Sequence, residues 1–345
     1  MPDSLPFKHQ LESSSAKRKF QKSLLAWFDA AQRDLPWRKR KTPYRIWVSE
    51  IMLQQTQVAT VIGYYQRFMK QFPTVKKLAA AEQEDVLKLW EGLGYYRRAR
   101  QMHAAAQVVV QQHRGKFPET FDEVLALPGI GRYTAGAILS ISKDQRLPVL
   151  EGNTIRLFAR LMSMKMDPRL SANQKQLWAF SESILPTVRC GDFNQALMEL
   201  GSEICHHKRP KCLFCPVAKL CPTFQLGLQE QIPAASKKVK YENLHEAVVV
   251  IKRRGKFLVR RCGPGERWEG LWDFPRFEVQ SKVNAQTPVM TVAAKLEEQV
   301  KLATGLDVEL KPTSVSIKHA VTKLSLIHIS EPTRLVHSSR MPSSA

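Results

Sequence analysis

The sequence predicts a mainly α-helical chain that ends in a smaller α+β domain, and three observations carry the prediction. Apolar residues recur at helical spacing from about residue 17 to 228. Four cysteines crowd into residues 205–221, too close together for scattered core thiols. After a polar stretch at 229–243 the pattern changes to β-rich runs. At 345 residues the chain is long enough for two cores.

Phe20, Leu24, Leu25, Trp27 and Phe28 form the first helical stripe. A second helix is predicted from Pro43, tolerated in a first turn, through Ile51, Met52, Val58 and Ile62. Thr74–Trp90 carries Val75, Leu78, Val86, Leu87 and Leu89 and reads as one helix stopping at Gly92 and Gly94. Further helices are expected over 97–113, 121–126, 132–142, 153–164, 172–185 and 193–204. Residues 1–16 then form an N-terminal extension, 17–228 the helical domain, 229–243 a linker and 244–323 the α+β domain. In that domain HEAVVVIKRRGKFLVRRC reads as a hairpin around Arg253-Arg254-Gly255, and a helix is expected near 291–304, ending at Gly305. Residues 324–345 show neither period; they resemble translated adapter or vector sequence and are expected to be a non-native or disordered tail.

Lys and Arg number 53 against 31 Asp and Glu, a formal net charge of +22. A protein this basic suits a polyanion, whose counterions are released on binding, although charge alone does not separate DNA from RNA or an anionic membrane. No apolar run is long enough to span a bilayer, and the N-terminus lacks the apolar core of a signal peptide. A cytoplasmic, nucleoid-associated protein without membrane partners is expected, with its six cysteines reduced and not paired as a disulfide framework.

Cys205, Cys212, Cys215 and Cys221 stand as C-x6-C-x2-C-x5-C. Four thiolates satisfy either a tetrahedral zinc or a [4Fe–4S] cluster, but structural zinc more often uses two tight pairs and only one is present. In LPGIGRYTAGAI, Gly129 and Gly131 allow the backbone to approach a phosphate ahead of a helix whose first amides favour an anion. A small-residue helix and the cysteine loop follow, which makes the segment more than an interhelical turn and identifies it as a helix–hairpin–helix motif for DNA. Glu50 lies among Trp47, Val48, Ile51 and Met52. By periodicity it is a surface carboxylate; held in a pocket it would have a raised pKa and serve as a proton donor. Glu151 precedes Gly-Asn and an amphipathic helix, as a capping carboxylate does.

Taken together, LPWR, VSEIMLQQTQV, EGLGYYRRAR, LPGIGRYTAGAI, the EGN segment, FNQALMELGSEIC and the cysteine loop resemble the adenine DNA glycosylases over about residues 20–225. The resemblance implies a two-lobed helix–hairpin–helix glycosylase domain with the iron–sulfur loop spacing of endonuclease III-type glycosylases, followed by a Nudix-like domain. It implies a monomer that flips adenine out of duplex DNA containing A·8-oxoguanine or A·G mispairs and hydrolyses its N-glycosidic bond. On that reading Glu50 protonates adenine N7, Glu151 stabilises the oxocarbenium-like sugar, and Tyr133 and Asn153 line the sugar side. Gln54 and Tyr95 match residues that fill the stack beside the flipped base. Tyr133 stands where the sister lyases place a nucleophilic Lys, which implies a monofunctional enzyme.

Two departures from the family pattern stand out. Residue 151 is Glu where the family has Asp, one methylene longer, and about 1 Å of misplacement can cost on the order of a hundredfold in rate. In the second domain Leu302 and Ala303 replace the final Glu pair of the Nudix metal box, so Mg²⁺-dependent pyrophosphate hydrolysis is not expected. The lesion-contacting Phe-Ser-His turn falls near Val321-Thr322-Lys323, where Thr322 keeps a hydroxyl. The competing readings are a pyrimidine-lesion glycosylase/lyase and a lesion-binding homologue with impaired turnover.

Overall fold

Phe20, Leu24 and Phe28, one helical turn apart, are buried side by side and fix the first helix, α1 (Ser14–Ala31), whose N-terminus is capped by Ser13. The structure, a computed structural model, describes residues 11, 13–234, 242–266, 268–278, 289–310, 315–321 and 324–335. The chain divides into two units, Met1–Ser236 and Lys237–Ala345.

In the first unit α1 is followed by α2 (Pro43–Leu53), α3 (Val58–Gln71), α4 (Val75–Ala79), α5 (Gln83–Trp90), α6 (Arg97–Gln112), α7 (Phe121–Leu125) and α8 (Arg132–Lys143). Then come α9 (Gly152–Leu161), α10 (Ser171–Ser183), α11 (Cys190–Glu203) and the short α12 (Pro222–Gln225). One lobe packs α2 against α3, α6 and α8. The other gathers α1, α9, α10 and α11 around Phe158, Phe193 and Leu200, and α11 also packs on α8. A cavity opens beside α2, α8, α9 and α11.

Two predicted helices are each broken in two. The helix expected from Pro43 to Ile62 stops at Leu53 and restarts at Val58, because the carbonyls of Ile51, Met52 and Gln54 accept from the Arg98 guanidinium and Gln55 takes a left-handed φ of 57°. The helix expected over 74–90 turns at Ala80–Glu82, where the Ala80 amide closes back on Lys76 and Leu78. The linker expected at 229–243 begins later than its composition suggests. Ile232, 2% exposed, belongs to the helical core, and its carbonyl accepts from Arg160.

The second unit holds β1 (Glu242–Arg253), β2 (Lys256–Phe257), β3 (Arg260–Arg261), β4 (Trp272–Asp273), β5 (Arg276–Glu278), α13 (Val289–Thr304), β6 (Val308–Leu310), β7 (Val315–Val321) and β8 (Leu324–Leu335). The hairpin expected at 253–255 is present: β1 and β2 pair antiparallel across Arg254 and Gly255, both at positive φ, as a two-residue turn requires. The sheet runs β2-β1-β8-β6, with β5 on β1 and β7 on β8, while β3 and β4 pair separately. Ala247, Val249 and Ile251 of β1 meet Leu296 and Val300 of α13 in a small core. From 324 to 335 the tail expected to be non-native or disordered forms β8, parallel to β1 and antiparallel to β7. Thr322 lies outside the described residues.

Candidate active site

Helix α2 is buried on every side from Tyr44 to Met52, apart from the intermediate Arg45, and this explains why periodicity misplaces Glu50. A carboxylate on a helix covered all round has no solvent face to occupy. Glu50 is 6% exposed, and the Tyr133 hydroxyl of α8 donates to its Oε2 at 2.5 Å. Burial pushes Glu50 up to about 7; the charge of Glu151 adds to the rise, and the Tyr133 bond and Arg38 oppose it. Burial likewise holds Tyr133 well above the ordinary tyrosine value, with Glu50 and Glu151 adding to the effect, so its oxygen remains a phenol. The same hydroxyl lies 3.2 Å from Met198 Sδ.

Glu151 caps α9. Its Oε2 accepts from the Asn153 amide and its Oε1 from the Thr154 amide, both at 2.9 Å, while Thr154 Oγ1 accepts from the Glu151 amide. This is a capping box with the carboxylate in the leading position. Burial raises the Glu151 pKa, and the two amides and the Arg156 charge pull against it. Asn153 Nδ2 donates to Glu151 Oε2 at 3.3 Å, and its Oδ1 accepts from Arg156, which also grips the carbonyls of Gly201 and Cys205. Gly201 backs this arrangement: a Cβ there would lie 2.7 Å from Asn153 Cβ.

Glu50, Tyr133, Glu151, Asn153 and Gln54 all line one cavity of about 440 Å³. Tyr95, Gly129 and Gly131 are not among its lining residues. Tyr95 is 46% exposed at a φ of 49°. Gly129, at a φ of 76°, is required twice over, since a Cβ there would sit 2.7 Å from Gln101 Cβ. Gly131 is different: it caps α8 with a φ of −102° and has open space where a Cβ would be. Its backbone does not demand glycine.

The same cavity is lined by residues that the sequence reading passes over. Glu199 of α11, 2% exposed, takes Arg33 Nη2 at 2.8 Å and Arg38 Nη2 at 2.9 Å, and Arg38 Nε donates to Gln195. Burial alone would raise Glu199, but the Arg33 and Arg38 hydrogen bonds outweigh it and hold the carboxyl at about 2. A signal was available, because Glu199 in ALMELG is a carboxylate within an apolar run, as Glu50 is.

The four cysteines lie on the loop between α11 and α12. Burial pushes Cys215 up to about 12 and Cys221 to about 11, and in both the charges of the other loop thiols add to the rise. Burial also raises Cys212, and three thiols that resist ionisation beside Cys205 are a donor set for a strongly cationic centre. Arg160 Nη1 reaches Cys205 Sγ at 3.2 Å. Among the described residues no three His, Cys, Asp or Glu side chains are drawn into a closed metal-holding geometry. No helix among them is long and apolar enough to cross a membrane.

Residues 48–182 match the HhH-GPD superfamily of base excision DNA repair proteins. The adenine DNA glycosylase of Rattus norvegicus is 47% identical over 266 residues, 74% of this chain and 51% of the relative. That of Homo sapiens is 42% identical, covering 74% and 48%. That of Buchnera aphidicola from Acyrthosiphon pisum is 38% identical, covering 75% and 74%. The chain thus spans about half the length of the two mammalian relatives. Among solved structures, a thermostable thymine-DNA glycosylase superposes with a TM-score of 0.56 at 29% identity, over 61% of this chain and 97% of that one. Endonuclease III in a non-covalent DNA complex gives 0.52 at 19% over 63% and 99%, a likeness of fold.

Proposed function

This chain belongs to the adenine DNA glycosylase family, and from that premise we propose that it hydrolyses the N-glycosidic bond of adenine mispaired with 8-oxoguanine or guanine in duplex DNA. The observation that carries the reading is Glu50, buried at a cavity wall, hydrogen-bonded by Tyr133 and titrating at about 7. A carboxyl in that state is protonated often enough near neutral pH to donate to N7 of an extruded adenine and turn the base into a leaving group. Glu151, its two oxygens held by backbone amides, supplies negative charge beside the sugar as the glycosidic bond lengthens. Asn153 adds a second hydrogen bond, from its Nδ2, to the oxygen that its own backbone amide holds. Tyr133 orients Glu50, and as a phenol without an amine it forms no Schiff base, which supports a monofunctional enzyme. Gln54, Tyr95 and the Gly129–Gly131 hairpin address the stack and the phosphates. The structural neighbour at 29% identity is a thymine-DNA glycosylase, in keeping with a DNA substrate. In the second unit Thr322 is the candidate for reading the lesion.

Cys205, Cys212, Cys215 and Cys221 would hold a [4Fe–4S] cluster. When bound it supplies a rigid anchor for a loop carrying Lys208, Arg209, Lys211 and Lys219. Protein purified anaerobically is expected to contain about four irons per chain; stoichiometric zinc without iron, from iron-replete cells, would refute the cluster.

Single-turnover excision followed by alkali tests the function on duplexes carrying A·8-oxoguanine, A·G and T·G. Release of adenine from the first two, with no borohydride-trapped sugar, is expected. Release of thymine, or a trapped covalent complex, would move the chain to the pyrimidine glycosylase/lyase reading.

A further inference from the structure

Arg98, half-buried on α6, directs its guanidinium at two separate stretches of backbone. Nη1 donates to the carbonyls of Ile51 at 2.7 Å, Met52 at 3.1 Å and Gln54 at 2.5 Å, the C-terminal carbonyls of α2 that the helix itself leaves unpaired. Nη2 reaches the carbonyls of Leu93 at 3.3 Å and Gly94 at 3.2 Å, and Thr56 Oγ1 at 3.4 Å. All six acceptors are neutral oxygens, so the arginine serves here by the fixed directions of its fork and not as half of an ion pair. The guanidinium carbon also lies 5.6 Å from the Tyr95 ring centre and 5.4 Å from that of Trp90.

Both stretches carry strain beside a residue expected in the stack. Gln55, next to Gln54, has a φ of 57°, and Tyr95 itself has a φ of 49° after Gly94 at 71°. A left-handed non-glycine residue is sterically strained and persists only where its surroundings hold it. One side chain holds both.

We propose that Arg98 is the positioning residue that couples Gln54 to Tyr95, so that the two enter the base stack as one rigid unit. This rests on the assignment of Gln54 and Tyr95 to the stack made above. Opening a stack costs energy, and side chains already ordered for the opened state lose less freedom on entering it. A lysine, with one ammonium and no planar fork, cannot address both stretches at once.

The test compares wild type with Arg98→Met and Arg98→Lys. Stack opening is read from 2-aminopurine fluorescence beside the target adenine in an A·8-oxoguanine duplex. Single-turnover excision is measured on that duplex and on an adenine already looped out in a single-base bulge. Arg98→Met is expected to lower both the opening signal and duplex excision about tenfold or more, while bulge excision stays within about threefold. Arg98→Lys is expected to show the same split at smaller amplitude, and it decides the matter if Arg98→Met melts below the assay temperature. An unchanged opening signal, or equal losses on duplex and bulge, would overturn the proposal. Because opening is read without turnover, a wild-type protein that opens the stack yet releases no adenine would overturn the glycosylase reading and leave the coupling supported.

Discussion

Two carboxyl groups in one cavity are driven in opposite directions, Glu50 up to about 7 and Glu199 down to about 2. Both are buried; only Glu199 has arginines hydrogen-bonded to it. For Glu50 the folded value exceeds the unfolded one, so its contribution to stability is complete below pH 4.5 and is lost as pH rises through 7. Glu50→Gln is expected to gain about 2–3 kcal/mol of stability over wild type between pH 4.5 and pH 8, read from denaturant melts at both pH values. The same variant is expected to lose at least about a hundredfold in adenine excision while duplex affinity is kept, and the wild-type rate should fall as pH climbs above 7. For Glu199 the sign reverses: its stabilisation is full above pH 4.5 and disappears as pH falls toward 2. At Glu151 both oxygens are occupied by backbone amides, so the additional methylene has been absorbed by folding back onto its own helix. Glu151→Asp is expected to raise the excision rate if the carboxylate regains reach toward the sugar, and Glu151→Ala to be slowest of the three. Equal rates for Glu, Asp and Ala would remove residue 151 from the mechanism. The capping role of Glu151 was legible in its sequence context. The burial of Glu50 was not, because a helix enclosed on all sides erases the periodicity that burial is read from.

At the scale of elements, helix positions were legible and helix breaks were not. The boundaries at Arg97, Phe121 and Arg132 follow apolar spacing and glycine punctuation. The interruption at Gln54–Gln57 depends instead on an arginine forty-odd residues away taking the carbonyls, and no local window contains that partner. The hairpin before α8 separates two glycines that look alike in sequence. Gly129→Ala meets both a positive φ and Gln101, and is expected to cost about 1–3 kcal/mol and to weaken duplex binding. Gly131→Ala meets neither, and its melting curve is expected to stay within about 0.5 kcal/mol of wild type. If Gly131→Ala nonetheless loses DNA affinity in a binding titration, the loss measures close approach of a phosphate and not backbone strain.

Across the whole molecule, a charge of +22 makes affinity for DNA a function of salt. Duplex binding is expected to weaken by two orders of magnitude or more, roughly, between 50 and 200 mM salt, as release of several counterions requires. An affinity indifferent to salt would place the basic excess away from the interface. The change from helix to sheet was legible in composition, and so were the hairpin and α13. The centre of the sheet was not, because β8 shows no alternation and its pairing with β1 joins segments some eighty residues apart, which no local window contains.

Helix α9 has a different task at each end. Its cap, Glu151, stands in the cavity; its last turn carries Arg160, 2% exposed, which grips Cys205 Sγ and the carbonyls of His206, His207 and Ile232. Ten residues of helix make a strut of about 15 Å, stiff along its axis. The cysteine loop is therefore an abutment for the helix that Glu151 caps. On the proposed function, damage to the loop is expected to reach Glu151 as slack, read as slower excision by Cys212→Ser, without any electron having to move.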